Sequence, residues 1–591
     1  MTETATSEAT SPVPGPDASV APANCGRVGW WIAGAVVLAI AARAWVISRV
    51  QVAVIVPDEA GSWSIARLLA GVKPTLPMRD VPVYPLFTGT LLVPVVRFFH
   101  DPVTSYRVAL VLLWGLVVAA AALVYIFVRR VAGRGREAAA AAFALIVLYP
   151  ATTITSSYTW SEAAVLFALP ALLVLTHLAY TRLSPGAVVA AAAVAGATPS
   201  VHGRFLLVPA LWAVCTAVLL LRAAELPRRR RMGLTVMAVV VVAAVVAAGA
   251  LASRAIVHRL WTTPAVPSRG LLQVAREPAF WGQFLGQLVG EVWYALASSF
   301  GLAALGVIWL VRRLRGWRRE RRAVTGTLAV TALACSAIVL TSVTTVAKGL
   351  VQLGRVPAGR LDYYVHGRYI DAVIALLAAL GLAEVLDPAR RRWAGLVLLG
   401  AVGALVVTAA VTIAAIPGNL TGYLGPAIGG VYELPFVSAF SLVRWSIIAG
   451  IGMLLIVLAT RLRRPLGMAI VALLFVLLCW SASARAIQDH HDFARFALFR
   501  HVPSPAGERD RVVVAADALV QRRFRLGSFS QEYVLTAKGW TFEFPTARSD
   551  QLKDLDDPET GVLVLLRGEP VDLTRWRHAG TWSEVDVWVR R

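Results

Sequence analysis

The stretch VGWWIAGAVVLAIAARAWVIS, residues 28–48, is an apolar run broken by one arginine and long enough to cross a bilayer as a helix. It leads into VPDEAGSWSIARLLAG, residues 56–71, where Asp58 and Glu59 stand side by side. No other acidic residue occurs between Asp17 and Asp58. The sequence therefore predicts a membrane span that is followed at once by a pair of carboxylates.

Similar apolar runs recur along most of the 591 residues, of which 58% are hydrophobic and only 15% charged. Soluble proteins have about 25% charged residues, so the composition predicts an all-α polytopic membrane protein with about thirteen transmembrane helices. The predicted spans are 28–48, 106–128, 137–152, 160–181, 186–200, 205–222, 233–253, 284–311, 324–346, 369–386, 393–416, 442–460 and 466–483.

The net charge of +23 is concentrated in short arginine clusters between the apolar runs. Such clusters mark cytoplasmic loops, so they indicate a plasma-membrane protein and argue against a nucleic-acid partner. With thirteen spans, a cytoplasmic N-terminus places every cluster inside and the C-terminal tail outside. The clusters are residues 129–137, 226–232, 312–322, 387–393 and 461–465.

The chain changes character near residue 485. From there on, acidic and basic residues are equal in number, and three segments have the pattern of β-strands. We expect a small extracytoplasmic α/β domain after a transmembrane domain, and a disordered cytoplasmic N-terminus without the layout of a cleaved signal peptide. The predicted domains are 1–27, 28–484 and 485–591, and the predicted strands lie within 511–519, 561–568 and 583–591.

Carboxylates at the outer ends of spans are the first candidates for a functional site, because charges near hydrocarbon are costly. Asp58 is a candidate general base, with Glu59 as its neighbour; the alternative is a helix N-cap followed by a first-turn acid. Glu162, in SSYTWSEAAVLFALP (156–170), is a candidate second carboxylate facing the same cavity. Its alternative is an ordinary first-turn acid beside interfacial aromatic residues.

The motif His-Gly-Arg-aromatic occurs twice, in VHGRFLLVP (201–209) and VHGRYIDAV (365–373), each time where the chain enters a span from outside. A guanidinium is a planar, bidentate partner for phosphate, so the two motif arginines could hold an anionic headgroup. The alternative is that they are arginines snorkelling at helix ends. The candidate phosphate ligands are Arg204, Arg360 and Arg368, with His202, Tyr364, His366 and Tyr369 as supporting residues.

Several chemistries are not indicated. The four cysteines are scattered, so no disulfide framework or zinc-binding spacing is predicted, while a divalent metal ion at the carboxylates is left open. No Walker motif occurs, and GRGREA (133–138) lies in an arginine-rich inner loop without a preceding strand. An activated substrate should therefore arrive by another route than a soluble nucleotide.

These features together resemble the GT-C glycosyltransferase superfamily: an outer-loop acidic pair after the first span, interfacial helices in that loop, an acid that opens a later span, and a polar outer tail. GQLVGEVWYALASSFGLAALG (286–306) and RLDYYVHGRYID (360–371) are similar to stretches in actinobacterial members. Arabinofuranosyl- and mannosyltransferases and protein O-mannosyltransferases belong to this superfamily. Asp58 matches its first-loop catalytic acid, Glu59 that acid's neighbour, and Glu162 its second-loop acid.

The resemblance implies a membrane enzyme that transfers a sugar, with inversion, from a polyprenyl-phosphate donor to an extracytoplasmic envelope glycan, lipid or protein. Two other functions remain open at this point. A transporter or flippase for a lipid-linked sugar would be expected to have repeated halves and charges at mid-membrane. A non-catalytic envelope scaffold would use the tail as a binding module.

Overall fold

The computed structural model describes most of the chain, and the predicted fold class is confirmed: the protein is mostly helical, with a small C-terminal sheet. The described residues are 25–55, 57–72, 86–260, 269–316, 322–352, 364–415, 430–431, 441–495, 511–515, 541–543, 549–552, 555, 557, 559–582 and 585–591. The predicted disordered N-terminus lies almost entirely outside them.

Helices α1 to α18 are Cys25–Arg49, Pro57–Leu69, Leu86–Phe98, Pro102–Arg130, Arg136–Leu148, Pro150–Thr155, Glu162–Arg182, Pro185–Val201, Val208–Leu221, Arg228–Leu260, Leu271–Val274, Pro278–Ser298, Leu302–Arg315, Arg322–Gln352, Asp371–Val385, Arg391–Ala415, Leu442–Arg461 and Arg464–Arg495.

Each of the thirteen predicted spans overlaps a helix or a pair of consecutive helices. Within the described residues, eight helices are long and apolar enough to cross a membrane, or nine if α12 and α13 form one bent span. The shorter apolar helices include α3 and α8. Together with the fold, these helices make the chain a multi-pass membrane protein.

The predicted continuous span 284–311 is corrected by the structure, which divides it into α12 and α13 with a bend of 107°. The break includes Phe300 and Gly301, whose φ angles of 50° and 75° lie in the left-handed region. A helix cannot continue through that conformation, and a glycine adopts it without steric cost. The predicted span 137–152 is similarly divided, where α5 ends at Leu148 and α6 begins at Pro150.

The five arginine clusters come together at one end of the helices. Arg134 forms ion pairs with Glu384 and Asp387, while Arg312 stacks on Trp393 at 4.5 Å. Further contacts join Arg322 to Glu225, Arg231 to the carbonyl of Leu221, and Arg391 to the carbonyl of Leu462. Arg230 donates to the carbonyl of Leu183, which follows the last residue of α7, so Glu162 at the start of α7 lies at the opposite end of the helices from these contacts.

The first outer loop was predicted to be partly helical, and α2 and α3 confirm this for the residues described. The two helices pack closely at Gly89 of α3, where a Cβ would overlap the Ile65 side chain of α2. The predicted strands coincide with three of the five strands in the C-terminal region.

Within the described residues, the C-terminal sheet has five strands, β1 to β5, which are Arg511–Val514, Thr541–Glu543, Thr560–Leu566, Trp576–Trp582 and Val585–Arg590. Their order in the sheet is β2-β1-β3-β5-β4. β1 is parallel to both of its neighbours, and β5 is antiparallel to β3 and β4. Buried valines of β1, β3 and β5 form its core. The short helix α19, Ser549–Leu552, precedes β3.

Candidate active site

Two buried arginines share one carboxylate at the start of α7. Glu162 Oε1 lies 2.9 Å from Arg204 Nη2 and 3.4 Å from Arg368 Nε. All three residues are at most 8% exposed. Charged groups at such depth are stable only when they are paired, so the carboxylate and the two guanidinium groups depend on one another. The structure thus brings together one predicted acid and both motif arginines.

The two His-Gly-Arg copies form the same local structure. Each folds into a single 3-10 turn, Gly203–Phe205 and Gly367–Tyr369, that closely precedes a helix. In the first copy, His202 Nδ1 accepts the backbone N–H of Arg204 at 3.2 Å, which fixes the turn. The repeated motif therefore supplies two matched arginine-bearing turns, one before α9 and one before α15.

Aromatic rings hold the two guanidinium groups in place. Arg204 lies over the Tyr369 ring at 3.9 Å and donates to the carbonyls of Arg368 and Tyr369. Arg368 lies 4.6 Å from the Trp160 ring, within the range of a cation–π interaction. Trp160 in turn stacks on Tyr158 at 4.5 Å. Arg204 and Arg368 are therefore fixed in direction as well as paired in charge.

Glu59 joins α2 to the segment that precedes α7. Its side chain is completely buried, and it accepts hydrogen bonds from the backbone and hydroxyl of Thr159 and from Tyr106. Trp63 donates to the same Thr159 hydroxyl at 2.8 Å. Glu59, the predicted neighbour of the catalytic acid, thus anchors α2 to Thr159, which lies three residues before Glu162.

The other predicted residues lie at different distances from this centre. Asp58 belongs to the first turn of α2, which begins at Pro57, and its side chain is outside the described residues, as is the whole of Arg360. The backbone N–H of His366 donates to Glu291 Oε1 at 2.8 Å, and the ring of His366 lies 4.0 Å from that of Tyr369. Tyr364 packs against Gly286 of α12.

A mainly apolar cavity of about 480 Å³ adjoins the arginine pair. Trp160, Glu162 and Arg368 form one part of its wall, and small residues of α8 and α10 form another. α10 is largely exposed, as expected for a helix that faces lipid. The small residues are Gly196, Pro199 and Ser200 of α8 and Gly249, Ala250 and Ser253 of α10.

Arg368 and Arg204 differ in their access to this cavity. Arg368 and Glu162 line both it and a second cavity of about 10 Å³, whereas Arg204 lines only the small one. A space of that size accommodates about one water molecule. Arg368 is therefore the arginine that borders the large cavity, and Arg204 lies behind it.

Two buried acids near the site were not singled out in the sequence. Asp371 follows Arg368 by three residues, lines the small cavity, and accepts a hydrogen bond from Tyr294 at 2.8 Å. Glu291, on α12, is 2% exposed. Both belong to the scarce outer acids, and that scarcity was the available clue. Among the described residues, no group of three or more His, Cys, Asp or Glu side chains is arranged to hold a metal ion.

Comparison with known proteins identifies the fold. No protein-family model matches the chain, and no curated protein matches its sequence. The crystal structure of ArnT from Cupriavidus metallidurans bound to undecaprenyl phosphate is similar to it, with a TM-score of 0.52 at 15% identity. ArnT in the apo state gives 0.52 at 16% identity. Both alignments cover 96% of this chain and 98% of ArnT, so the shared fold extends over nearly the whole molecule.

Proposed function

We propose that the protein is an integral-membrane glycosyltransferase that takes a sugar from a polyprenyl-phosphate donor. The observation that carries the proposal is a buried arginine at the wall of an apolar cavity that extends along two membrane helices. An arginine suits the phosphate, and the apolar part of the cavity suits a prenyl chain. The likeness to ArnT, a GT-C glycosyltransferase whose structure holds undecaprenyl phosphate, supports the same function.

The two arginines have different roles at the donor phosphate. Arg368 contacts the donor phosphate directly, because it lines the large cavity. Arg204 supports it from behind by sharing Glu162 and by donating to the carbonyl of Arg368. Glu162 offsets part of the positive charge of the two guanidinium groups, and the Arg368 guanidinium lies at the cavity wall, where it can attract an anion.

Asp58 is proposed as the general base, by resemblance to the first-loop acid of the superfamily. The geometry supports its placement, because Glu59 fixes α2 to Thr159, next to the segment that forms the cavity wall. In the reaction, an acceptor hydroxyl oxygen bonds to the anomeric carbon and loses its proton to Asp58. The bond from that carbon to the phosphate oxygen breaks with inversion, and Arg368 stabilises the charge on the departing phosphate.

We place this reaction on the extracytoplasmic side. The arginine clusters lie at the other end of the same helices, and such clusters favour the cytoplasmic side. An extracytoplasmic site also calls for a lipid-bound donor, because nucleotide sugars are cytoplasmic. The acceptor is then an envelope glycan, lipid or protein. The likeness to ArnT supports the superfamily and does not extend to the arabinofuranosyl- or mannosyltransferase subtype.

The test is a comparison of donors with the purified full-length protein and an envelope extract as the source of acceptors. A panel of labelled sugars is supplied either on polyprenyl phosphate or on a nucleotide. We expect label to be transferred from at least one polyprenyl-phosphate sugar and from no nucleotide sugar. Transfer from nucleotide sugars alone would refute the proposal.

A further inference from the structure

One face of α12 is shaped to receive the segment that carries Arg368. A Cβ on Gly290 would overlap the carbonyl oxygen of Tyr364, so only glycine allows the two backbones to approach this closely. In the reverse direction, a Cβ on Gly367 would overlap the ring of Tyr294, which projects from α12. The two glycines therefore interlock α12 with the 3-10 turn of the second His-Gly-Arg copy.

Hydrogen bonds fix this turn to α12 at both of its ends. Glu291 Oε1 accepts the backbone N–H of His366 at 2.8 Å, two residues before Arg368. The Tyr294 hydroxyl donates to Asp371 Oδ1 at 2.8 Å, three residues after Arg368. The same hydroxyl accepts the backbone N–H of Gly430 at 2.8 Å. The backbone of Arg368 thus lies between two anchors one turn apart on α12.

Stability alone does not explain a glutamate at this position. Glu291 is 2% exposed, and its Oε2 has no hydrogen-bond partner among the described residues. Gln287 Nε2, at 3.4 Å from Oε1, is its other partner. Burying a carboxylate for so few hydrogen bonds is costly, so the contact with His366 is maintained against a stability penalty.

We propose that Glu291 and Tyr294 are positioning residues that set the location of the Arg368 guanidinium and hence the affinity for the donor phosphate. The inference rests on the proposed role of Arg368 as a phosphate ligand. Neither residue lines the large cavity, so neither acts through contact with the lipid. Glu291 acts through the backbone of His366, and Tyr294 acts through its packing on Gly367 and its hydrogen bond to Asp371.

The test measures the Kd of the full-length protein for undecaprenyl phosphate in nanodiscs, together with the thermal midpoint of each variant. Glu291→Ala should weaken binding about tenfold, because the turn loses its hydrogen bond to a buried acceptor. Glu291→Gln should restore it, since an amide oxygen also accepts from the His366 N–H and the other oxygen has no partner to lose. Tyr294→Phe should weaken binding by a similar factor.

Glu384→Ala is the matched control, because Glu384 is equally buried but pairs with Arg134 and Arg390 at the opposite end of the helices. It should lower the thermal midpoint and leave the Kd unchanged. A Kd for Glu291→Ala equal to that of the unmodified protein would overturn the inference. If that variant does not fold, an unchanged Kd for Tyr294→Phe would do so.

Arg368→Lys separates this inference from the function on which it rests. It keeps the charge and loses the bidentate fork, so it should also weaken binding. If Arg368→Lys binds undecaprenyl phosphate normally, the assignment of the phosphate site fails, regardless of the Kd values of the Glu291 and Tyr294 variants. If Arg368→Lys is impaired while the α12 variants bind normally, only the positioning role fails. In the double variant with Glu291→Ala, the two losses should be less than additive, because both act on the same guanidinium.

Discussion

Glu162 is the residue on which both site arginines depend. Glu162 is 7% exposed, and its carboxylate pairs with both Arg204 and Arg368. Exposed ion pairs contribute little to stability, whereas removal of one member of a buried pair leaves a desolvated charge behind. The stability of the site should therefore respond far more strongly to this carboxylate than to those at the surface.

We expect Glu162→Gln to lower the free energy of unfolding by about 3 kcal/mol, because two buried guanidinium groups lose their counter-charge. Glu225→Gln is the control, since Glu225 forms an exposed pair with Arg322 and should cost at most about 1 kcal/mol. Thermal unfolding of the purified variants in one detergent gives the comparison. Equal midpoints for the two variants would contradict the importance assigned to the buried cluster.

For Asp58, we expect Asp58→Asn to reduce sugar transfer about 10²- to 10⁴-fold, the usual contribution of a general base. Asparagine has nearly the same shape and is tolerated at helix starts, so the fold and the Kd for undecaprenyl phosphate should be unchanged. Transfer rates and binding are measured on the same preparation. A variant with near-normal turnover would leave Asp58 with a structural role only.

At this scale, the sequence predicted Glu162, Arg204 and Arg368 because scarce outer acids and a repeated motif single them out. It did not predict that Arg204 and Arg368 share one oxygen of Glu162, because Arg368 lies more than 150 residues after the other two in the sequence. Glu291 and Asp371 were missed because their partners, a backbone N–H and a tyrosine hydroxyl, leave no mark in a motif.

At the scale of elements, the two His-Gly-Arg turns look alike in sequence and differ in their surroundings. Gly367 is packed against the Tyr294 ring, whereas a Cβ on Gly203 would meet nothing within 4 Å. Neither glycine has a positive φ angle, so the difference between them lies in packing. A pattern of residue types cannot show this difference, because it arises from α12.

The paired glycines give a direct test of this packing. We expect Gly367→Ala to destabilise the protein by about 1–3 kcal/mol through overpacking. Gly203→Ala should change the free energy of unfolding by no more than about 0.5 kcal/mol. The measurement is thermal unfolding of the two variants beside the unmodified protein. Similar losses for both substitutions would show that the interlock with α12 is not tight.

The bend between α12 and α13 marks the limit of prediction from hydrophobic runs. The segment 284–311 is mainly apolar and long enough to form one span, so its hydrophobicity alone gives no reason to divide it. The division depends on the left-handed conformations of Phe300 and Gly301. It allows α12 to face the arginine turn while α13 packs on α15, where Gly306 and Gly381 each meet the backbone of the other helix.

At the scale of the whole molecule, the two ends of the membrane helices differ chemically. The arginine clusters meet at one end, and the acid–arginine centre and its cavity lie at the other. The sequence predicted both groups from the positions of charged residues and from the repeated motif, because charged side chains are costly within the hydrocarbon. The C-terminal strands were predicted less completely: β2 has three residues, and β4 contains Ala and Gly without a regular alternation of apolar residues, so neither has a strong strand pattern.

The orientation leads to a prediction about the tail. Alkaline phosphatase fused after Arg591 should be active in an export-competent host, because the thirteen predicted spans carry the tail outside. The same enzyme fused near the N-terminus should be inactive. Both activities are normalised to the amount of fusion protein. A well-expressed but inactive C-terminal fusion would move the tail inside and remove one span from the prediction.

The most direct measurement of the central claim is a cryo-electron microscopy structure of the protein in nanodiscs that contain undecaprenyl phosphate. We expect density for the phosphate within hydrogen-bond distance of the Arg368 guanidinium, with the prenyl chain extending along α8 and α10 through the large cavity. Phosphate density at a different site, or a cavity empty at saturating lipid while Arg368 still contacts Glu162, would contradict the account.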